Sequence, residues 1–222
     1  MTDTTPIQIP YSFVEYKGFF AEPIFAAFVK RDWAVTRALY LALQKWGLTL
    51  EQIVVRQQTT NVSEIQISFN LPRMGVSVYL SLGNLAIFLN NPDWSRAGEL
   101  VEVTTAAVEA AKAGAETKLQ SQQLSLGMHL TLKGKTRKDV SSRFIAVSEK
   151  SVEFLGKLTG SGFSLYGDNC ALVVDTSNMY SEALFVRIMR THAGNAALAE
   201  MTKALEKDEK QTFAFLGVHE DV

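Results

Sequence analysis

The chain has 222 residues, 47% of them hydrophobic and 20% charged, with a formal net charge of −1. That length can bury a proper core as one large domain or two small ones, and the composition excludes wholesale disorder. The near-neutral balance excludes a whole-protein pull toward nucleic acid or acidic membranes and leaves only local patches.

Residues 1–6 read as a loose tail without a basic region followed by an apolar stretch, so no secretory signal is expected there. No apolar run approaches the ~18–20 residues of a membrane span. The expectation is a cytoplasmic protein, in which the sequon Asn61-Val62-Ser63 has no use. Ile7 to Ala21 alternates and carries aromatic residues, and reads as an extended segment. A helix follows. Phe25, Phe28, Val29, Trp33, Thr36, Leu39, Tyr40 and Leu43 recur at helical spacing, and Gly47 is its stop. Strands are expected at Gln52–Val55, Ile65–Phe69, Val76–Leu80 and Leu85–Leu89, with a tight turn at Gly83-Asn84. Asp93 then caps a second helix whose apolar side runs Ala97, Leu100, Val101, Thr104, Val108, Ala111, ending at Gly114.

The pattern starts again with an extended segment from Gln122 to Leu132. A basic turn and a shorter helix around Asp139–Val147 come next. Strands follow at Val152–Leu155, Phe163–Tyr166, Ala171–Val174 and Ala183–Met189, with a turn at Gly167-Asp168-Asn169. Asn195 caps a last helix from Ala196 to about Lys207, and Phe213 to Leu216 read as an apolar segment docking back on the body. The fold class is therefore α+β in two similar halves, 1–118 and 119–222. Each runs strand, helix, antiparallel strands, helix; the two sheets may be continuous, with helices on one face. Gly75, Ser77 and Tyr79 match Gly162, Ser164 and Tyr166 at an offset of 87 residues, which suggests internal duplication.

Known catalytic patterns fail one by one. Lys133-Gly-Lys-Thr136 resembles the end of a phosphate loop, but His129 stands where its first glycine belongs. Gly160-Ser-Gly162 lacks the third glycine of a dinucleotide fingerprint, and no nucleophile elbow is present. His129, His192 and His219 have no second ligand at helical metal-binding spacing, and one cysteine, Cys170, forms neither a disulfide nor a thiolate cage. His129 reads as a strand residue, His192 as a strand-end residue and His219 as part of a solvated tail. Cys170 reads as a small strand hydrophobe and Asp175 as a turn former. The rival reading is that the fold gathers His129 or His192 near Asp175, or leaves Cys170 as a nucleophile. No catalytic residue, cofactor or metal is assigned.

Two features rise above this background. Lys133, Lys135, Arg137 and Lys138, with Arg143 beyond, form a basic stretch opposed only by Asp139, and are candidate anion or phosphate contacts. Stacking aromatics are missing there, which argues against nucleic acid. The first helix is apolar nearly all round, so Val35, Leu41 and Trp46 are candidate interface residues. The alternatives are that the sheet wraps this helix, or that Trp33 and Trp46 wall an apolar-ligand cavity. The expected function is non-enzymatic: protein interaction or assembly, by self-association or with a partner, away from membranes. Binding of a small apolar ligand, or an enzyme without a motif, are the alternatives.

Overall fold

Alternation at the start of the chain becomes one long strand, β1 (Thr5–Phe20), with every second side chain buried along most of its length. It opens a mixed α+β fold in a computed structural model that describes residues 4–25, 33–56, 65–141, 143–144 and 162–221. In chain order the other elements are α1 (Ala34–Leu43), β2 (Ile53–Arg56), β3 (Gln66–Leu71), β4 (Val76–Leu80), β5 (Asn84–Asn90), α2 (Ala97–Ala115) and β6 (Leu119–Leu132). Then come α3 (Arg137–Ser141), β7 (Phe163–Tyr166), β8 (Cys170–Thr176), β9 (Leu184–Ala193), α4 (Leu198–Leu216) and β10 (Val218–Glu220). No helix among the described residues is long and apolar enough to cross a membrane.

The chain forms two compact units. The larger comprises Phe13–Ser125 and Thr191–Lys203; the smaller comprises Met1–Ser12, Leu126–Arg190 and Ala204–Val222. The strands β1, β6 and β9 and the helix α4 each contribute residues to both.

In the larger unit the strand order is β2-β3-β4-β5-β1-β6. Register places Phe69 opposite Val78, and Val78 opposite Ile87, and all three are fully buried. Their shared face is the apolar floor on which burial of branched side chains yields ~25 cal/mol per Å². The helix α1, which buries Val35, Leu39 and Leu43, packs on α2. Gly114 makes that approach possible. A β-carbon there would lie 2.7 Å from the Val35 Cα and 3.1 Å from the Ala38 Cβ. It is therefore a packing residue rather than the helix stop, and α2 runs on to Ala115. Asp93 does cap, but it caps the 3₁₀ turn Trp94–Arg96 ahead of α2, accepting from the Ser95 N–H at 3.0 Å.

In the smaller unit the order is β1-β6-β9-β8-β7, with β10 parallel to β1 through Thr5↔Val218, Pro6↔His219 and Ile7↔Glu220. The short β10 was not expected, because three residues give no period to read. Gly217 (φ 66°) makes the turn into it, a conformation that glycine adopts freely. The last helix extends to Leu216, so Phe213–Leu216 are its final turn and not a separate docking segment. The expected strand at Val152–Leu155, and the helix beyond Phe144, lie outside the described residues.

Candidate functional site

Three places in the two units bring polar chemistry into apolar surroundings. The first is His129 on β6, in the smaller unit. It is 4% exposed, and its ring lies against Tyr11, Tyr180 and Phe185 at centroid distances of 5.5, 5.8 and 5.1 Å. Its Nδ1 is 2.7 Å from Ser177 Oγ, also buried. That oxygen accepts from the N–H groups of Met179 (3.1 Å) and Tyr180 (2.9 Å), as a turn-forming serine does. Burial alone lowers the pKa of His129 below the usual histidine value. The arrangement brings a serine to a histidine, a pair that sequence reading missed because 48 residues separate them. As a nucleophile Ser177 is poorly placed: it is 7% exposed and all three of its hydrogen-bonding capacities are used. Asp175 is exposed and accepts from the neighbouring Thr176 N–H at 2.6 Å, a strand-end role.

The second place is a cavity of about 320 Å³ in the smaller unit, between β7, β8, β9 and α4. Three large apolar side chains on its wall remain open to solvent: Leu165 (47%), Tyr166 (78%) and Phe215 (47%). Phe215 is held by Phe144, at a centroid distance of 4.6 Å. Arg190 crosses the cavity wall in a two-pronged pair with Asp208, at 2.6 and 2.7 Å. Those hydrogen bonds push the guanidinium pKa still higher. Cys170 lines the same wall, half-buried. The hydrophobic spacing of β7 and α4 shows that each has an apolar side, but not that those sides meet around a gap.

The third is a cavity of about 400 Å³ in the larger unit, between α2, β1, β6 and the residues leading into α4. At its base the Tyr16 hydroxyl donates to Gln122 Oε1 at 2.7 Å, with both side chains buried. The two N–H hydrogens of the Gln122 amide are shared by the carbonyls of Ala193, Gly194 and Ala196 at 3.1, 3.1 and 2.9 Å. Gly194 sits so close to the Leu119 carbonyl that a β-carbon has no room. Burial first, and the charge of Glu109 second, push the Tyr16 phenol well above its usual range.

Acids from elsewhere in the smaller unit face part of the basic stretch. Lys133 pairs with Asp221, and Arg137 lies 3.8 Å from Glu182. Asp139 accepts from the backbone N–H and the hydroxyl of Thr136 at 2.7 and 2.8 Å, which lowers its pKa. Lys135 has partners of its own, and Lys138 is exposed. At the first helix the interface candidates separate. Val35 is 1% exposed and belongs to the core against α2, a correction to its reading as interface. Leu41 is 56% exposed, and Trp46 is half-buried with Lys45 Nζ 3.9 Å above its ring. Phe25 and Trp33, expected in the core stripe, are exposed; Phe28 and Val29 lie outside the described residues. Trp33 has a left-handed backbone (φ 50°) at the helix start, a turn that periodicity does not reveal. His192 has partners, and His219 is an exposed residue of β10. Among the described residues no group of three or more His, Cys, Asp and Glu side chains could hold a metal ion.

No protein-family model matches the chain, and no curated protein matches it.

Proposed function

We propose that this is a non-enzymatic protein-interaction or assembly protein, and that the cavity of the smaller unit is where it grips another chain. One observation carries the reading: Leu165, Tyr166 and Phe215, all solvent-exposed, converge on one cavity whose lining includes the paired Arg190 and Asp208. Interfaces concentrate tyrosine, phenylalanine and arginine in this way, because large rigid side chains bury much area at low entropic cost. Leu41 on the first helix of the larger unit and the half-buried Trp46 in the 3₁₀ turn after it offer a second apolar contact. A photo-crosslinking residue at position 166, combined with light scattering at micromolar concentration, tests this. The expectation is a crosslinked second chain, of this protein or another, and its loss when Leu165→Glu is added beside the crosslinker, with an unchanged melting temperature. A strictly monomeric wild type with no crosslink overturns it.

A small amphipathic ligand is the second reading, favoured by the cavity's volume of about 320 Å³, which lies at the lower end for ligand sites. A melting-temperature increase with a lipid or aromatic compound, abolished by Leu172→Trp, would select it.

We infer further that the halves 1–118 and 119–222 are related by duplication. Support comes from shared element order: β1, α1, β2–β5, α2 against β6, α3, β7–β9, α4. Counting back from each closing helix pairs β5 with β9, β4 with β8 and β3 with β7. On that count Tyr79 (β4) and Tyr166 (β7) are not equivalent, so the 87-residue offset does not support it. Superposing β3-β4-β5 on β7-β8-β9 in an experimental structure is the check. Duplication requires α2 and α4 to fall on the same face and at the same end of their three strands.

A further inference from the structure

The hydrogen bonds around Ser177 admit one protonation state of His129. A serine hydroxyl has one proton and two lone pairs. Both lone pairs of Ser177 accept turn N–H groups, from Met179 at 3.1 Å and Tyr180 at 2.9 Å. The hydroxyl proton therefore goes to His129 Nδ1 at 2.7 Å, and the imidazole is neutral with its own proton on Nε2. The same turn is closed by the Ser177 N–H on the Ala183 carbonyl at 2.9 Å. It contains Glu182 in a left-handed conformation (φ 55°), costly for a side chain of that size.

We infer that His129 is a proton-sensitive lock on the turn of residues 177–183, closed when the imidazole is neutral and released when it is charged. Protonation turns Nδ1 into a donor aimed at a hydroxyl whose lone pairs are both in use. Ser177 must then give up the N–H of Met179 or of Tyr180, or leave a buried imidazolium N–H unsatisfied. The groups against the ring are Tyr11 from β1, Phe185 from β9, and Ser177 and Tyr180 from the turn. Among the described residues against the ring there is no carboxylate to compensate the new charge, in keeping with burial as the cause of the lowered pKa. Acidification opens the turn and frees Glu182 and its partner Arg137 at the start of α3.

Amide hydrogen exchange by NMR, corrected for the intrinsic pH dependence, tests the lock. Protection of Met179 and Tyr180 in the wild-type protein is expected to fall by about tenfold between pH 7 and pH 5, the response to losing roughly one turn hydrogen bond. Val78 on β4, in the larger unit, serves as the reference and is expected to hold steady. In His129→Gln a carboxamide oxygen accepts the Ser177 proton at every pH, so turn protection becomes flat. Flat protection in the wild type overturns the inference, as does an equal fall in His129→Gln. If that variant does not fold, the ring nitrogens of His129 decide. Nδ1 must gain its proton over the same pH interval in which protection is lost, and a ring that stays neutral while the turn opens refutes the lock.

Discussion

Each of the two units buries a polar pair among its described residues, and the pairs differ in what a proton does to them. In the larger unit Tyr16 donates to Gln122, and the Gln122 amide donates to three carbonyls. A phenol and a carboxamide keep the same donors and acceptors across the physiological range, so this network is fixed. In the smaller unit Ser177 donates to His129, whose ring is the one side chain with an ordinary pKa near neutrality. Similar burial and similar distances therefore give a permanent brace in one unit and a conditional one in the other. Buried polar groups are costly unless satisfied, so each pair fixes a turn that apolar packing alone would leave undefined: residues 193–196 in one case and 177–183 in the other.

The sharpest way to break the comparison is Gln122→Leu. Three carbonyls and the Tyr16 hydroxyl lose their partner together, at about 1 kcal/mol or more each. The expected loss is about 4 kcal/mol in urea unfolding, the same at pH 5 and pH 8. Ser177→Ala is expected to cost about 2 kcal/mol at pH 8, since two turn N–H groups and His129 Nδ1 are orphaned. Its cost should shrink toward pH 5. His129 has a folded pKa depressed below the unfolded value near 6.5, so its contribution is present above that pH and is lost as pH falls through the folded pKa. A pH-independent cost would mean that Ser177 acts only as a turn former. Tyr16→Phe removes a single donor and is expected to cost about 1–2 kcal/mol at either pH, read by the shift in the urea midpoint.

Strands and helices were largely legible because period governs them: Val76–Leu80 buries alternate residues, as its sequence alternates. The first helix shows where period fails. Phe25 and Trp33 fit a helical stripe, but a left-handed backbone at Trp33 interrupts it and both side chains face solvent. Gly114 looked like a stop because glycine often ends helices; here the absence of a β-carbon is needed by the neighbouring helix, a tertiary fact. The candidate sites were less legible still. Pairing His129 with Ser177, Tyr16 with Gln122, or Tyr166 with Phe215 depends on which strands become neighbours, and no local pattern encodes that. The basic stretch was visible as charge, but its acids Asp221 and Glu182 come from distant parts of the chain.

The smallest expected effect sharpens the contrast by adding a titration of opposite sign to the smaller unit. Glu209 on α4 is partly buried and sits near Glu206 on the same helix and Glu220 on β10, with Lys210 opposing them. Burial first and the two carboxylates second raise its pKa from 4.5 to about 7. A raised folded pKa means that the folded chain binds the extra proton between those values. Its stabilising contribution is then complete below about pH 4.5 and is lost as pH rises through about 7. Glu209→Gln keeps the shape and removes the charge, so it should match the wild type at pH 4 and exceed it at pH 8. Solvent screening of a partly exposed group reduces the gain to the order of 1 kcal/mol. Urea unfolding at pH 4, 6 and 8 reads it. A gain of equal size at all three values would assign the effect to packing, and no gain at pH 8 would show that Glu209 ionises without cost. His129 loses its contribution as pH falls below about 6.5, and Glu209 loses its own as pH rises from about 4.5 to about 7, so the two titrations oppose each other over the same interval in the smaller unit, while the brace in the larger unit holds across it.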